Sequence, residues 1–271
     1  MRAAALLLVP LLVLAACGDD PARYQVLGGE RVSLDRLVRG EHLYERYCAA
    51  CHGARGDGLG PSSAFQWPPP RDFRTADFKF AASAEGELPP DDEIAAVVRR
   101  GLAGTAMLAW DIPDAELADV IDYIKSFSPR GRGFRDRSRR QVRPPVPPDP
   151  FAGPGGAARA IAEGARLYHA EFQCNQCHPT YARREQLAAW GAADRSTFPG
   201  EPVPRWSATY RSVLLPPDFM RHPMRFARTA ADFYRIIAGG MRGPMPAYGQ
   251  LGGDKVWAVA RYTAWLVSQR R

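Results

Sequence analysis

The chain has 271 residues with a formal net charge of +7, and it is 46% hydrophobic and 24% charged. That length suffices for about two domains of ~100–150 residues each, and the composition is that of an ordinary globular protein rather than a fibrous or disordered chain. Only the 25 Pro and 25 Gly stand out, and they predict extensive loops and linkers.

At the N-terminus, Arg2 precedes an apolar run from Ala3 to Ala16. The run is shorter than the ~20 residues a spanning helix needs, and it fits the core of an export signal. It ends in "LAAC", followed by the polar "GDD". This resembles the bacterial lipoprotein signal, which implies that Cys17 is lipidated and becomes the first mature residue; the alternative is an ordinary secretory signal. The expected organisation is a signal over 1–16, a tether over 17–33, a first domain over 34–129, a linker over 130–156 and a second domain over 157–271. An exported chain with a lipid anchor faces the periplasm or cell exterior, and export argues against nucleic acid as a partner.

Charge is unevenly placed. Residues 18–129 hold 12 basic and 19 acidic side chains, residues 130–148 hold seven arginines and one aspartate, and residues 149–271 hold 16 basic and nine acidic ones. An acidic half and a basic half suit docking on each other or on different partners. The linker begins Arg-rich and becomes Pro-rich from Pro144 to Pro154, which predicts an extended, semi-rigid connection.

The halves repeat each other in order. "GEHLY" (Gly40–Tyr44) matches "GARLY" (Gly164–Tyr168), and "CAACH" (Cys48–His52) matches "CNQCH" (Cys174–His178). "PPRDFRTADFKF" then matches "PPDFMRHPMRF", with Phe73 and Phe80 spaced like Phe219 and Phe226. Next comes an amphipathic helix, with Ile94, Val97, Val98 and Gly101 against Phe233, Ile236, Ile237 and Gly240, for which Asp91 and Thr229 are the candidate N-caps. A methionine loop follows at Met107 and Met245, and each half closes with another helix. No run alternates like a strand, so the expected fold is all-α.

Cysteines at i and i+3 lie on one helical face. Both thiols can therefore reach the vinyl groups of one haem and form thioethers, and the histidine that follows turns its ring to the iron. Cys48, Cys51, Cys174 and Cys177 thus predict two covalently bound haem c groups, with His52 and His178 as axial ligands. A redox dithiol or a Cys₄ zinc site is the alternative; the paired histidines and the export signal count against both.

On "CAACHGARGDGLGP", the Gly40/Tyr44 and Gly164/Tyr168 pairs and their partners Tyr123 and Tyr262 or Trp265, each half resembles a class I cytochrome c domain. The resemblance covers 34–127 and about 157–268. It implies a low-spin haem per half with methionine as the usual second axial ligand, hence Met107 and Met245, and a proline carbonyl that accepts from the proximal histidine, for which Pro61 is the candidate beside His52. The second half departs from the pattern. Pro179 follows His178 where glycine is usual, an insertion containing "ARREQLAAW" follows, and no second proline is assigned. His222 is the rival to Met245, while Met220, Met224, Met241, His42 and His169 read as packing or surface residues.

Met/His ligation raises a haem's reduction potential and leaves no open iron position. The resemblance therefore implies a membrane-anchored dihaem electron carrier working between a redox protein donor and acceptor. It implies no catalytic residues and no small-molecule substrate. The alternatives are a fixed haem subunit of a respiratory oxidase or dehydrogenase complex and, less favoured, a dihaem peroxidase.

Overall fold

The computed structural model describes residues 23–80, 83, 86–192 and 200–270. The signal segment and Cys17 lie outside these residues.

The fold is mostly helical, in two halves. In the first, α1 (Leu34–Tyr47) leads into the short α2 (Ala49–His52), then α3 (Asp91–Arg100) and α4 (Asp114–Ser126). In the second, α5 (Gly156–Arg166) runs into a π-turn (Leu167–Glu171), followed by α6 (Arg184–Ala189), α7 (Ala230–Gly239) and α8 (Gly253–Ser268). In each half the opening helix crosses the closing one at a glycine. A Cβ on Gly40 would lie 2.1 Å from the Asp119 carbonyl oxygen, and one on Gly164 would lie 2.1 Å from that of Ala258. Only glycine lets the two backbones approach so closely. Tyr44 packs against Tyr123 beside the first crossing, and Tyr168 against Tyr262 beside the second.

The sequence expectation of an all-α chain is corrected by two antiparallel hairpins. β1 (Tyr24–Leu27) pairs with β2 (Glu30–Ser33) through the Gly28-Gly29 turn, where φ is +63° and +93°, as a two-residue hairpin turn requires. β3 (Arg205–Ser207) pairs with β4 (Ser212–Leu214) within the insertion of the second half. The first hairpin occupies residues expected to be tether, and it is packed: Leu27, Val32 and Leu37 form a small buried cluster.

The linker is also more ordered than a spacer. Phe134 is 1% exposed and joins the core of the first half. Gln141 pairs with Leu88, and Arg143 forms an ion pair with Glu93. Farther on, the Pro147 carbonyl accepts from Trp257 and Asp149 pairs with Arg261. The segment is a strap fastened first to one half and then to the other. Thr229 caps α7 as expected, accepting from the Asp232 N–H. Asp91 does not cap α3. It is the first helical residue, and its carboxylate binds the fully buried Lys125 at 2.8 Å.

Candidate functional site

Both "CxxCH" turns line one continuous cavity of about 1790 Å³, walled by both halves. A single ligand site usually measures ~300–1,000 Å³, so this volume suits two large groups. His52 and His178 sit in it with Phe73 and Phe219 stacked on their rings, at centroid distances of 4.4 and 4.7 Å. The sequence reading missed these two phenylalanines as site residues, although their repeated spacing was the available signal.

Each histidine is fixed through Nδ1, which donates to a backbone carbonyl: His52 to Arg71 at 3.1 Å and His178 to Pro217 at 3.0 Å. Burial lowers the pKa of both imidazoles, and the carbonyl contact opposes that shift. Each ring is therefore neutral, with its Nε2 lone pair available to a metal. The expectation for Pro61 is corrected: Pro61 is exposed, and the acceptor is Arg71. Arg71 and Pro217 are equivalent positions, each two residues before the stacking phenylalanine, so the repeat reaches to the hydrogen bond.

The departure at Pro179 has a local cause. Gly53, which follows His52, has φ +79°, and this folds the chain straight back. Proline is held near −65° and cannot follow that path. After His178 the chain therefore runs outward into α6 and the β3–β4 hairpin before it returns at Pro216. What the two positions share is the carbonyl: Tyr44 donates to that of Gly53 at 2.7 Å, and Tyr168 to that of Pro179 at 3.1 Å.

The two methionine loops match bond for bond. Leu102 N–H donates to the Met107 carbonyl at 2.9 Å, and Met241 N–H to the Met245 carbonyl at 3.1 Å. Trp110 N–H closes the first loop on Val98, and Tyr248 N–H closes the second on Ile237. Gly101 and Gly240 open them, at φ +64° and +69°. A Cβ there would strike the Met107 and Met245 carbonyls, at 2.7 and 3.0 Å. Met107 and Met245 are half-buried and line the cavity. Met241 and Met224 line it too, as do their counterparts Leu102 and Phe78, whereas Met220 and His42 lie exposed outside it.

Of the other histidines, His169 is buried, with Nδ1 on the Ala165 carbonyl and Nε2 accepting from Tyr181 N–H. His222 lines the cavity, and its Nδ1 accepts from Asp218 N–H at 3.0 Å. The peptide between Pro217 and Asp218 therefore serves both His178 and His222. The C=O and N–H of a trans peptide point in opposite directions, so His222 lies behind the peptide that holds His178.

The donor set fits covalent haem. The four cysteines of the two CxxCH turns are free and half-buried, and burial raises Cys48 and Cys174 to about 12. Among the described residues no three of His, Cys, Asp and Glu converge as a metal cluster, which leaves the Cys₄ zinc alternative unassembled. No helix among them is long and apolar enough to cross a membrane.

A chain of the Kuenenia stuttgartiensis reducing HAO-like protein complex Kustc0457/Kustc0458 has a similar structure, with a TM-score of 0.65 and 26% sequence identity over 84% of this chain and 96% of that one. No curated protein matches. Residues 35–124 and 159–262 both match the family described as cytochrome c oxidase, cbb3-type, subunit III, one copy in each half. With these matches added to the repeated histidine and methionine geometry, the chain belongs to this class I cytochrome c-like family, as a tandem of two cytochrome c domains that serve electron transfer rather than catalysis.

Proposed function

We propose that the protein is a dihaem c-type cytochrome, exported and held to a membrane by lipid on Cys17, that carries electrons between a redox protein donor and an acceptor. The observation that carries this reading is the single cavity walled by both CxxCH turns and both methionine loops. Bound haem would supply a reversible one-electron couple. Cys48 and Cys51 would hold one group and Cys174 and Cys177 the other, with His52/Met107 and His178/Met245 as axial pairs. The chain's part is positional. The Arg71 and Pro217 carbonyls fix the imidazole tautomers, the stacked phenylalanines fix the ring planes, and the two hydrogen-bonded loops fix the thioethers. Two groups in one cavity suit transfer from half to half within one molecule. In this reading the first unit spans 24–143, taking in the hairpin and the first part of the strap.

The matched family is named for an oxidase subunit, and the similar chain comes from a protein complex. Both favour a second reading, a haem subunit fixed in a larger redox complex. Detergent extraction separates the two: a free carrier leaves the membrane alone, and a subunit leaves with partners. The ligands are tested by spectroscopic redox titration. Met245→Ala should abolish the methionine–iron band of one haem and lower its potential, whereas His222→Ala should leave the band intact. An unchanged band in Met245→Ala, with the potential of one haem altered in His222→Ala, would make His222 the ligand.

A further inference from the structure

The seam between the halves carries three cations that form no ion pair among the described residues. Lys79 and Arg225 occupy the same position of the repeat, each directly before the last phenylalanine of the shared element. Both line the common cavity, as does Arg71, whose guanidinium sits 4.0 Å over the Tyr210 ring of the other half. Among the described residues no carboxylate forms an ion pair with Lys79, Arg225 or Arg71. Of the acids near Arg71, Asp77 is taken by Arg242 at 2.8 Å and Asp72 by Arg74 at 2.7 Å. Burial, then Arg225, then Arg71 push Lys79 down to about 8. The Tyr210 hydroxyl is buried in the same cavity wall and has no hydrogen-bond partner among the described residues. A native interior rarely leaves a buried donor unpaired. Three cations and an orphan hydroxyl on the wall of one cavity call for an anion, and carboxylates accept from both kinds of donor.

We propose that Lys79 and Arg225, with Arg71 and the Tyr210 hydroxyl, form an anion seat on the seam that takes the propionate carboxylates of the two haems. This rests on the dihaem reading above and extends it: Tyr210 of the second half, under the Arg71 guanidinium, would serve the haem held by His52. The pseudo-symmetry carries the assignment, because a seat built from equivalent cations of two repeats suits one carboxylate-bearing group from each.

The test uses the full holoprotein. Haem content is measured first; fewer than two covalent haems per chain would overturn the dihaem reading, independently of the seat. With two attached, resonance Raman spectra follow the propionate bending modes, and each haem's potential is titrated. Tyr210→Phe should shift a propionate mode at unchanged haem content. Lys79→Gln and Arg225→Gln should each lower a haem potential, because loss of a nearby positive charge favours ferric iron, and Arg225→Lys should restore it. Unchanged modes and potentials in Tyr210→Phe, Lys79→Gln and Arg225→Gln alike would overturn the proposal. So would wild-type potentials that move on exchanging chloride for phosphate while the propionate modes stay still, since the seat would then hold a free inorganic anion.

Discussion

The ring of Phe73 lies face to face with His52, 19° from parallel. Phe73→Ala should cost about 3–5 kcal/mol through the cavity left behind, read as a lower denaturation midpoint for the first half. The phenylalanines were visible in the sequence as a spacing, but their partner was not, because stacking on a histidine leaves no mark on residue type. The acceptor for His52 was hidden for a related reason. Every residue carries a carbonyl, so which one faces Nδ1 depends on the path of the chain and not on proline. Buried phenols set the behaviour at high pH. Burial raises Tyr44 and Tyr168 above their ordinary value of 10.0, so the fold favours the neutral phenol. That contribution is fully present below pH 10.0 and is lost as the pH rises through the raised values. The melting temperature should therefore fall above pH 10, and it should fall less steeply in Tyr44→Phe.

The opening and closing helices of each half meet at one glycine. Gly40→Ala and Gly164→Ala each place a methyl against a backbone carbonyl. Overpacking of this kind costs about 1–3 kcal/mol. Calorimetry should show each variant lowering the stability of its own half more than that of the other. These crossings were legible, since glycine and tyrosine recur at the same spacing in both repeats. So were α3 and α7, with apolar faces long enough to show a period. The hairpins were not: strands of four and three residues are too short to display alternation, and only the Gly-Gly pair of the first hinted at a turn. The π-turn was equally hidden. It absorbs the longer path from Tyr168 to Cys174, two residues more than from Tyr44 to Cys48, and a π-turn has no residue signature beyond that extra length.

At the scale of the molecule, the acidic and basic halves do meet: Arg242 reaches across to Asp77, and Arg100 lies over the Phe226 ring. Asp77→Asn should weaken the docking by about 1 kcal/mol, since the pair is partly solvated. Hydrogen exchange should then quicken in the Met245 loop next to Arg242 while the helix crossings keep their protection. The sequence showed the charge asymmetry, but composition by itself does not say which surfaces face each other. The strap has a further consequence, for proteases. Seven arginines between residues 130 and 143 would make a free tether the first target of trypsin. Here Leu88 N–H donates to the Arg140 carbonyl and Val142 N–H to that of Leu88, while Arg135 and Arg139 are hydrogen-bonded to Gln25 and the Gly86 carbonyl. A protease needs an extended, unpaired stretch, so the most arginine-rich segment of the chain should resist trypsin while the halves are folded. A cut there reports that the first half has let go of the strap.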